Sequence, residues 1–184
     1  MRLQLFEFED YDWFPDFIRH GQTDYLHFMI SLFKVYKPAA IPLKELIEST
    51  GITEIQDVCS GGGGGMDTLR DELEKITGKD IRITLSDKYP NKEAFEELKK
   101  ASGGKINYIE QPVDVLNSNT GPDRIRTIFS AFHHFKPADA EKIIADAVKN
   151  KSPLAIFEGA EKNLKNFIGI LIFTPVIFFL LPRS

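Results

Sequence analysis

The chain has 184 residues, 42% of them hydrophobic and 27% charged, which is enough to bury one core without disulfides and too apolar for a disordered chain. A formal net charge of -4 with no long basic run argues against a nucleic-acid partner. The single cysteine, Cys59, excludes an intramolecular disulfide, and Met1-Arg2-Leu3-Gln4-Leu5 followed by Glu7, Glu9 and Asp10 lacks a signal-peptide core, which points to a reducing cytoplasm.

In chain order, the first stretch crowds Phe6, Phe8, Tyr11, Trp13, Phe14 and Phe17 among acidic residues. A helix is expected from Thr23 or Asp24 through Val35, and a second from Leu43 to Ser49 that stops at Gly51. Neither follows a strand, so residues 1–51 are read as a helical, aromatic-rich cap on the domain behind them. From Ile52 onward the texture changes. Five short β-rich runs, at 54–59, 81–86, 106–110, 124–130 and 154–158, alternate with helical patterns, the signature of βαβ units and a mostly parallel sheet. Leu69, Leu73 and Ile76 fall at helical spacing with Gly78 as a stop. Asn91 is suited to cap a helix over 92–100, which Gly103 and Gly104 end. Pro137 opens a third helix, whose apolar stripe runs through Ala140, Ile143, Ile144, Ala147 and Val148 to Asn150. Residues 52–184 are thus expected to form an α/β domain with helices on both faces of the sheet. The uncharged run 167–181 falls short of the roughly 20 residues that span a bilayer, and Pro175 interrupts it. It reads as a buried helix of a larger fold or as the exposed end of a truncated chain, with a peripheral membrane contact as the third reading.

Residues 61–65 are all glycine, after a strand and before a helix, so their backbone amides can approach a ligand closely at a helix N-terminus. A Walker loop would end in Gly-Lys-Ser or Gly-Lys-Thr; this run continues Met66-Asp67, and a carboxylate there repels a triphosphate. A dinucleotide fingerprint needs a third glycine where Met66 stands, so hydride transfer becomes the runner-up. Asp87, directly after the second strand, is placed to accept both ribose hydroxyls of an adenosine. Asp114, after the third strand, lies near where an adenine amino group would sit.

Taken together these residues resemble the class I S-adenosylmethionine-dependent methyltransferases. Asp57, Gly61 and Gly63 match that family's first motif, Asp87 its ribose-binding acid, and Asp114 with Val115 its adenine-side pair. TIFSAFHHF is similar to the strand that ends at the transferred methyl group, and LAIFE to the fifth strand. WFPDFIR, DVCSGGGGG and FSAFHHFKPADA are together similar to a group of bacterial methyltransferase-like proteins. The resemblance implies a Rossmann-like class I fold and S-adenosylmethionine as cofactor. It implies contacts from Asp57, Cys59, Ser60, Gly61, Gly63, Asp87, Lys88, Asp114, Val115 and Ser130, with no metal site. Cys59 departs from the family in standing where many members have glycine. The family sheet also gains an antiparallel hairpin after the fifth strand, and only 26 residues follow Glu158; a sheet without strands six and seven is expected, either natively or by truncation.

Methyl transfer from a sulfonium is an in-line displacement governed by positioning, and a base is needed only for an acceptor that carries a proton. His133 and His134, at the end of the fourth strand, are the candidates for that base; a ring that only supports the site through a backbone hydrogen bond is the competing reading for each. Cys59 reads as a small buried apolar residue, not a nucleophile, because the sequence assigns it no activating group. Asp16, Arg19 and His20 are candidates for a lid over the cofactor, and Glu158 for reaching the substrate pocket. The expected function is methyl transfer to a small or lipophilic molecule. The alternatives are a nicotinamide-dependent oxidoreductase and a non-catalytic cofactor-binding scaffold.

Overall fold

The computed structural model describes Tyr11, residues 13–118 and residues 120–158. Five strands, Glu54–Val58 (β1), Arg82–Ser86 (β2), Ile106–Tyr108 (β3), Ile125–Phe129 (β4) and Leu154–Phe157 (β5), form one all-parallel sheet in the order β3-β2-β1-β4-β5. Each lies within two residues of the run expected from sequence, because β-branched residues concentrated in short apolar runs suit a sheet covered on both faces. The order reverses between β1 and β4, and a crevice at the carboxyl ends of these two strands is where such sheets bind ligands.

The covering helices follow the apolar periodicity. Ala40–Thr50 (α2), Met66–Thr77 (α3) and Lys92–Ala101 (α4) put Leu43, Ile47, Leu69, Leu73, Phe95 and Leu98 against Ile55, Ile83 and Leu85. Pro137–Lys149 (α5) buries Ile143 against Val58, Val115 and Ile128 on the opposite face. Asn91 caps α4 as expected, its side chain accepting from the Ala94 amide. Arg126 of β4 is fully buried and donates to Asp146 of α5 at 2.8 Å, so this arginine inside the sheet is paired where an unpaired charge would be costly.

The cap differs from its sequence reading. Its first helix, Asp16–Phe33 (α1), begins seven residues before Thr23, at Pro15 in extended conformation with Asp16 in the first turn. Asp16 is an ordinary first-turn signal, but proline at the N-cap supplies no side-chain cap, and the aromatic crowding around it obscures the start further. Left-handed Lys34 ends α1, and a short 3-10 turn, Lys37–Ala39, leads into α2. The region after β4 differs too: the strand ends at Phe129, and His133 and His134 sit in a separate 3-10 turn, Phe132–His134. Among the described residues no helix is long and apolar enough to cross a membrane. The run 167–181, and with it the expected absence of a sixth and seventh strand, lies outside the described residues.

Candidate functional site

The crevice is built from the turns at the carboxyl ends of the strands. At the end of β1 the Asp57 carboxyl is 1% exposed and its Oδ1 accepts the Thr127 hydroxyl at 2.8 Å from neighbouring β4. Its backbone carbonyl accepts the Ser60 and Ser86 hydroxyls, each at 3.0 Å. Burial pushes the Asp57 carboxyl up to about 7; hydrogen bonds from Ser60 and Thr127 oppose the shift and the Asp87 charge adds to it. Asp57 is therefore held inside the fold with a proton affinity set near neutrality.

Cys59 leaves β1 at φ 60. This is the left-handed conformation glycine adopts freely and other residues adopt at a cost, so the position where related motifs carry glycine keeps glycine's geometry with cysteine's side chain. Ser60 closes the turn by exchanging hydrogen bonds with Ser86 at the end of β2: its amide donates to the Ser86 carbonyl at 3.1 Å, and its Oγ accepts the Ser86 amide at 3.2 Å.

Asp87 ties three segments together. Its Oδ2 accepts the Gly61 amide at 2.7 Å, its Oδ1 the Tyr89 amide at 2.8 Å, and its carbonyl the Val113 amide at 2.8 Å. The acid after β2 thus sits on the glycine turn after β1, a charge-assisted contact across 26 residues. An ionised carboxylate has about four acceptor sites, so each oxygen keeps capacity beyond its amide. Lys88 is exposed, its Nζ 5.0 Å from the Tyr89 ring. Asp114 is exposed and uses Oδ1 to cap the short turn Val115–Asn117 through the Leu116 amide at 2.9 Å. Val115 is buried with Val58, Ile128 and Ile143, and Cys59, Leu116, Ala131 and Phe132 pack around that cluster.

After β4, Ser130 is left-handed at φ 51 and donates its amide to the Phe157 carbonyl at 2.8 Å. Cys59 and Ser130 thus take sparsely populated backbone angles at the ends of the two strands that flank the crevice, a clustering expected of functional sites. His133 Nδ1 is 2.8 Å from Glu158 Oε2, and the His134 ring lies 4.4 Å from that of His133. Among the described residues no group of three or more His, Cys, Asp or Glu side chains is arranged to hold a metal ion.

Two residues of the cap reach this crevice. Arg19, 5% exposed, stacks its guanidinium 3.8 Å from the Tyr89 ring centre, is ion-paired with Asp16 and donates to the Tyr11 carbonyl at 2.9 Å. Tyr36 packs on Phe129 with ring centres 4.4 Å apart; burial pushes its hydroxyl up to about 12, against a Ser130 hydrogen bond, with the Asp57 and Glu158 charges adding to the rise. Tyr36 is absent from the sequence-based set because nothing around Val35-Tyr36-Lys37-Pro38 marks it; only the fold brings its ring to β4. A separate cavity of about 450 Å³ lies between α1 and α4, and neither Asp57, Cys59 nor His133 lines it.

No protein-family model matches the chain, and no curated protein matches its sequence. Solved structures do match in fold. An O-methyltransferase family protein from Burkholderia thailandensis superposes at TM-score 0.51 and 15% identity over 73% of this chain and 40% of its own. Mitomycin 7-O-methyltransferase superposes at 0.52 and 14% over 90% of this chain and 57% of its own. A third, magnesium protoporphyrin IX methyltransferase from Synechocystis PCC 6803 with bound SAH, reaches 0.48 and 15% over 82% and 65%. The chain spans about half the length of the Burkholderia protein and of mitomycin 7-O-methyltransferase. Its fold is the Rossmann-like α/β fold of class I methyltransferases.

Proposed function

We propose that the chain is an S-adenosylmethionine-dependent methyltransferase acting on a small or lipophilic acceptor. The observation that carries this reading is the Asp87 carboxylate seated on the Gly61 amide, joining the loops after β2 and β1 beside the point where the strand order reverses. The residues fit the group in two respects. Asp87 keeps acceptor capacity for paired ribose hydroxyls, and a Cβ at Gly61 would meet only the Thr23 side chain, its methyl at 3.4 Å, so that position of the turn has clearance. Asp87 would hold the ribose, Gly61 and Gly63 with Cys59 and Ser60 the turn beneath it, and Asp114 with Val115 the adenine side; Lys88 and Ser130 border the two ends. When bound, the group supplies an electrophilic methyl on a sulfonium.

What the chain's own residues contribute is orientation and proton handling. Glu158 accepts from His133 Nδ1 and so fixes the ring's tautomer, which assigns proton uptake from an acceptor hydroxyl to Nε2. His134 lies against that ring and supports it. Phe132 and Phe135, with ring centres 6.3 Å apart, give the neighbourhood an apolar wall, which supports a lipophilic acceptor. His133→Ala is expected to lower kcat for a hydroxyl acceptor by about 100-fold, the usual worth of a general base, with cofactor affinity unchanged; equal turnover in single-cycle assays would remove the base.

The test of the function is calorimetry with S-adenosylhomocysteine and, separately, NADH. Binding of the first and not the second is expected. Binding of NADH alone would move the chain to the oxidoreductase reading, and binding of neither at saturating concentration would overturn both.

A further inference from the structure

The glycine run meets two demands, a left-handed backbone and the absence of a Cβ; Gly63 and Gly65 meet both, and the even positions meet the second alone. Gly61, Gly63 and Gly65 take positive φ, at 55, 71 and 78, whereas Gly62 and Gly64 do not, so the backbone conformation alone does not require glycine at the even positions. Space does. A Cβ on Gly64 would lie 2.5 Å from His27 Cα, and one on Gly62 3.0 Å from the Thr23 carbonyl oxygen, both backbone atoms of α1. Thr23, His27 and Ser31 recur at helical spacing on one face of α1, and that face is fastened to the turn: His27 Nδ1 lies 3.1 Å from the Gly62 carbonyl, and Ser31 Oγ accepts the Gly65 amide at 3.3 Å. Asn91, which follows the Asp87 loop, donates to Thr23 Oγ1 at 3.3 Å and Asp24 Oδ1 at 2.9 Å. Helix α1 therefore grips both loops that meet at the Asp87–Gly61 contact.

The grip is shallow elsewhere. Arg19 is the only buried residue of the helix, while Phe17, Leu26, Leu32 and Phe33 are exposed. An element with few buried contacts opens at low cost, and five consecutive glycines lose more freedom on ordering than any other sequence of that length. We propose that α1 is a clamp coupled to the cofactor turn, with Gly62 and Gly64 as its seat and His27 and Ser31 as positioning residues. Seating α1 orders the turn before a ligand arrives, and a ligand on the turn holds α1 down by the same factor. This rests on the reading of the crevice as a cofactor site.

Hydrogen exchange of α1 amides, with and without S-adenosylhomocysteine, tests it in the wild type, in Gly64→Ala and in His27→Ala. In the wild type the ligand is expected to slow α1 exchange. Gly64→Ala is expected to speed α1 exchange without ligand and to weaken ligand binding by about 10-fold, with His27→Ala, the milder variant, about 3-fold in both. Should Gly64→Ala fail to fold, His27→Ala carries the test. Ligand binding in the wild type with no slowing of α1, or unchanged affinity in a variant whose α1 exchanges faster, overturns the clamp and leaves the cofactor site standing. A wild type that binds no S-adenosylhomocysteine overturns the functional reading and the coupling with it, while the ligand-free exchange rates still report whether the even glycines seat the helix.

Discussion

Asp87→Ala is expected to weaken S-adenosylhomocysteine binding by about 100-fold or more. The carboxylate supplies the proposed acceptor for two ribose hydroxyls, and hydrogen bonds to charged groups contribute about 1.5–3 kcal/mol each; losing two of them is roughly 3 kcal/mol, or about two decades in affinity. The substitution also strips the Gly61 and Tyr89 amides of their acceptor, so only the Ser60–Ser86 pair is left to align the turn with β2. Asp87→Asn is no remedy, because both oxygens already accept an amide and the Asn nitrogen would face one of those donors. Both variants are expected to keep their far-ultraviolet circular dichroism, since the five strands and their hydrophobic faces do not depend on this side chain. Calorimetric affinity within threefold of the wild type for the alanine variant would show that the ribose is held elsewhere.

The second large effect is a change in how stability depends on pH. Burial raises the Asp57 carboxyl from 3.8 to about 7, so the folded state binds this proton more tightly than the unfolded state does. Its contribution is fully present below about pH 4 and is lost as pH rises through 7, a swing on the order of 4 kcal/mol. Asp57→Asn removes the ionisation and retains a carbonyl oxygen for the Thr127 hydroxyl. The variant is expected to lack the wild type's fall in stability between about pH 4 and pH 7. At pH 8 it should be more stable by about 3 kcal/mol, after about 1 kcal/mol is subtracted for an imperfectly matched amide group. Urea unfolding of both proteins at pH 5 and pH 8 measures the difference, and other titrating groups cancel in the comparison. Parallel pH profiles would mean that Asp57 ionises normally in the folded protein.

Much of the fold is legible in the chain itself. The five strands announce themselves because a sheet covered on both faces needs short runs of Ile, Val and Thr, and helices between them need apolar side chains three or four apart. Asn91 and Pro137 mark helix starts through chemistry confined to one turn. The start of α1 is harder to read, because Trp13, Phe14 and Phe17 suggest a core where the structure leaves Trp13 and Phe17 exposed. The candidate site shows the same division. Asp57, Asp87, Asp114, Ser130 and Glu158 are visible as polar residues at strand ends. The pairing of His133 with Glu158 joins residues 25 apart in the chain, and that of Thr127 with Asp57 residues 70 apart. Tyr36 carries no local sign of its place against Phe129.

What the sequence alone determined is which residues stand at the strand ends and in what order, because strand propensity and turn chemistry are local and the parallel α/β arrangement then fixes the end at which they gather. Only the tertiary structure decided what those residues experience. The proton affinity of Asp57 is set by the desolvation of β1 between its neighbours, a sum over atoms distant in the chain. The glycine run looks uniform as text, yet Gly61 needs only a left-handed backbone, Gly62 and Gly64 need only an absent side chain beneath a helix some 35 residues earlier, and Gly63 and Gly65 need both. Clearance of a Cβ is a property of whatever packs above it, and no local pattern encodes that.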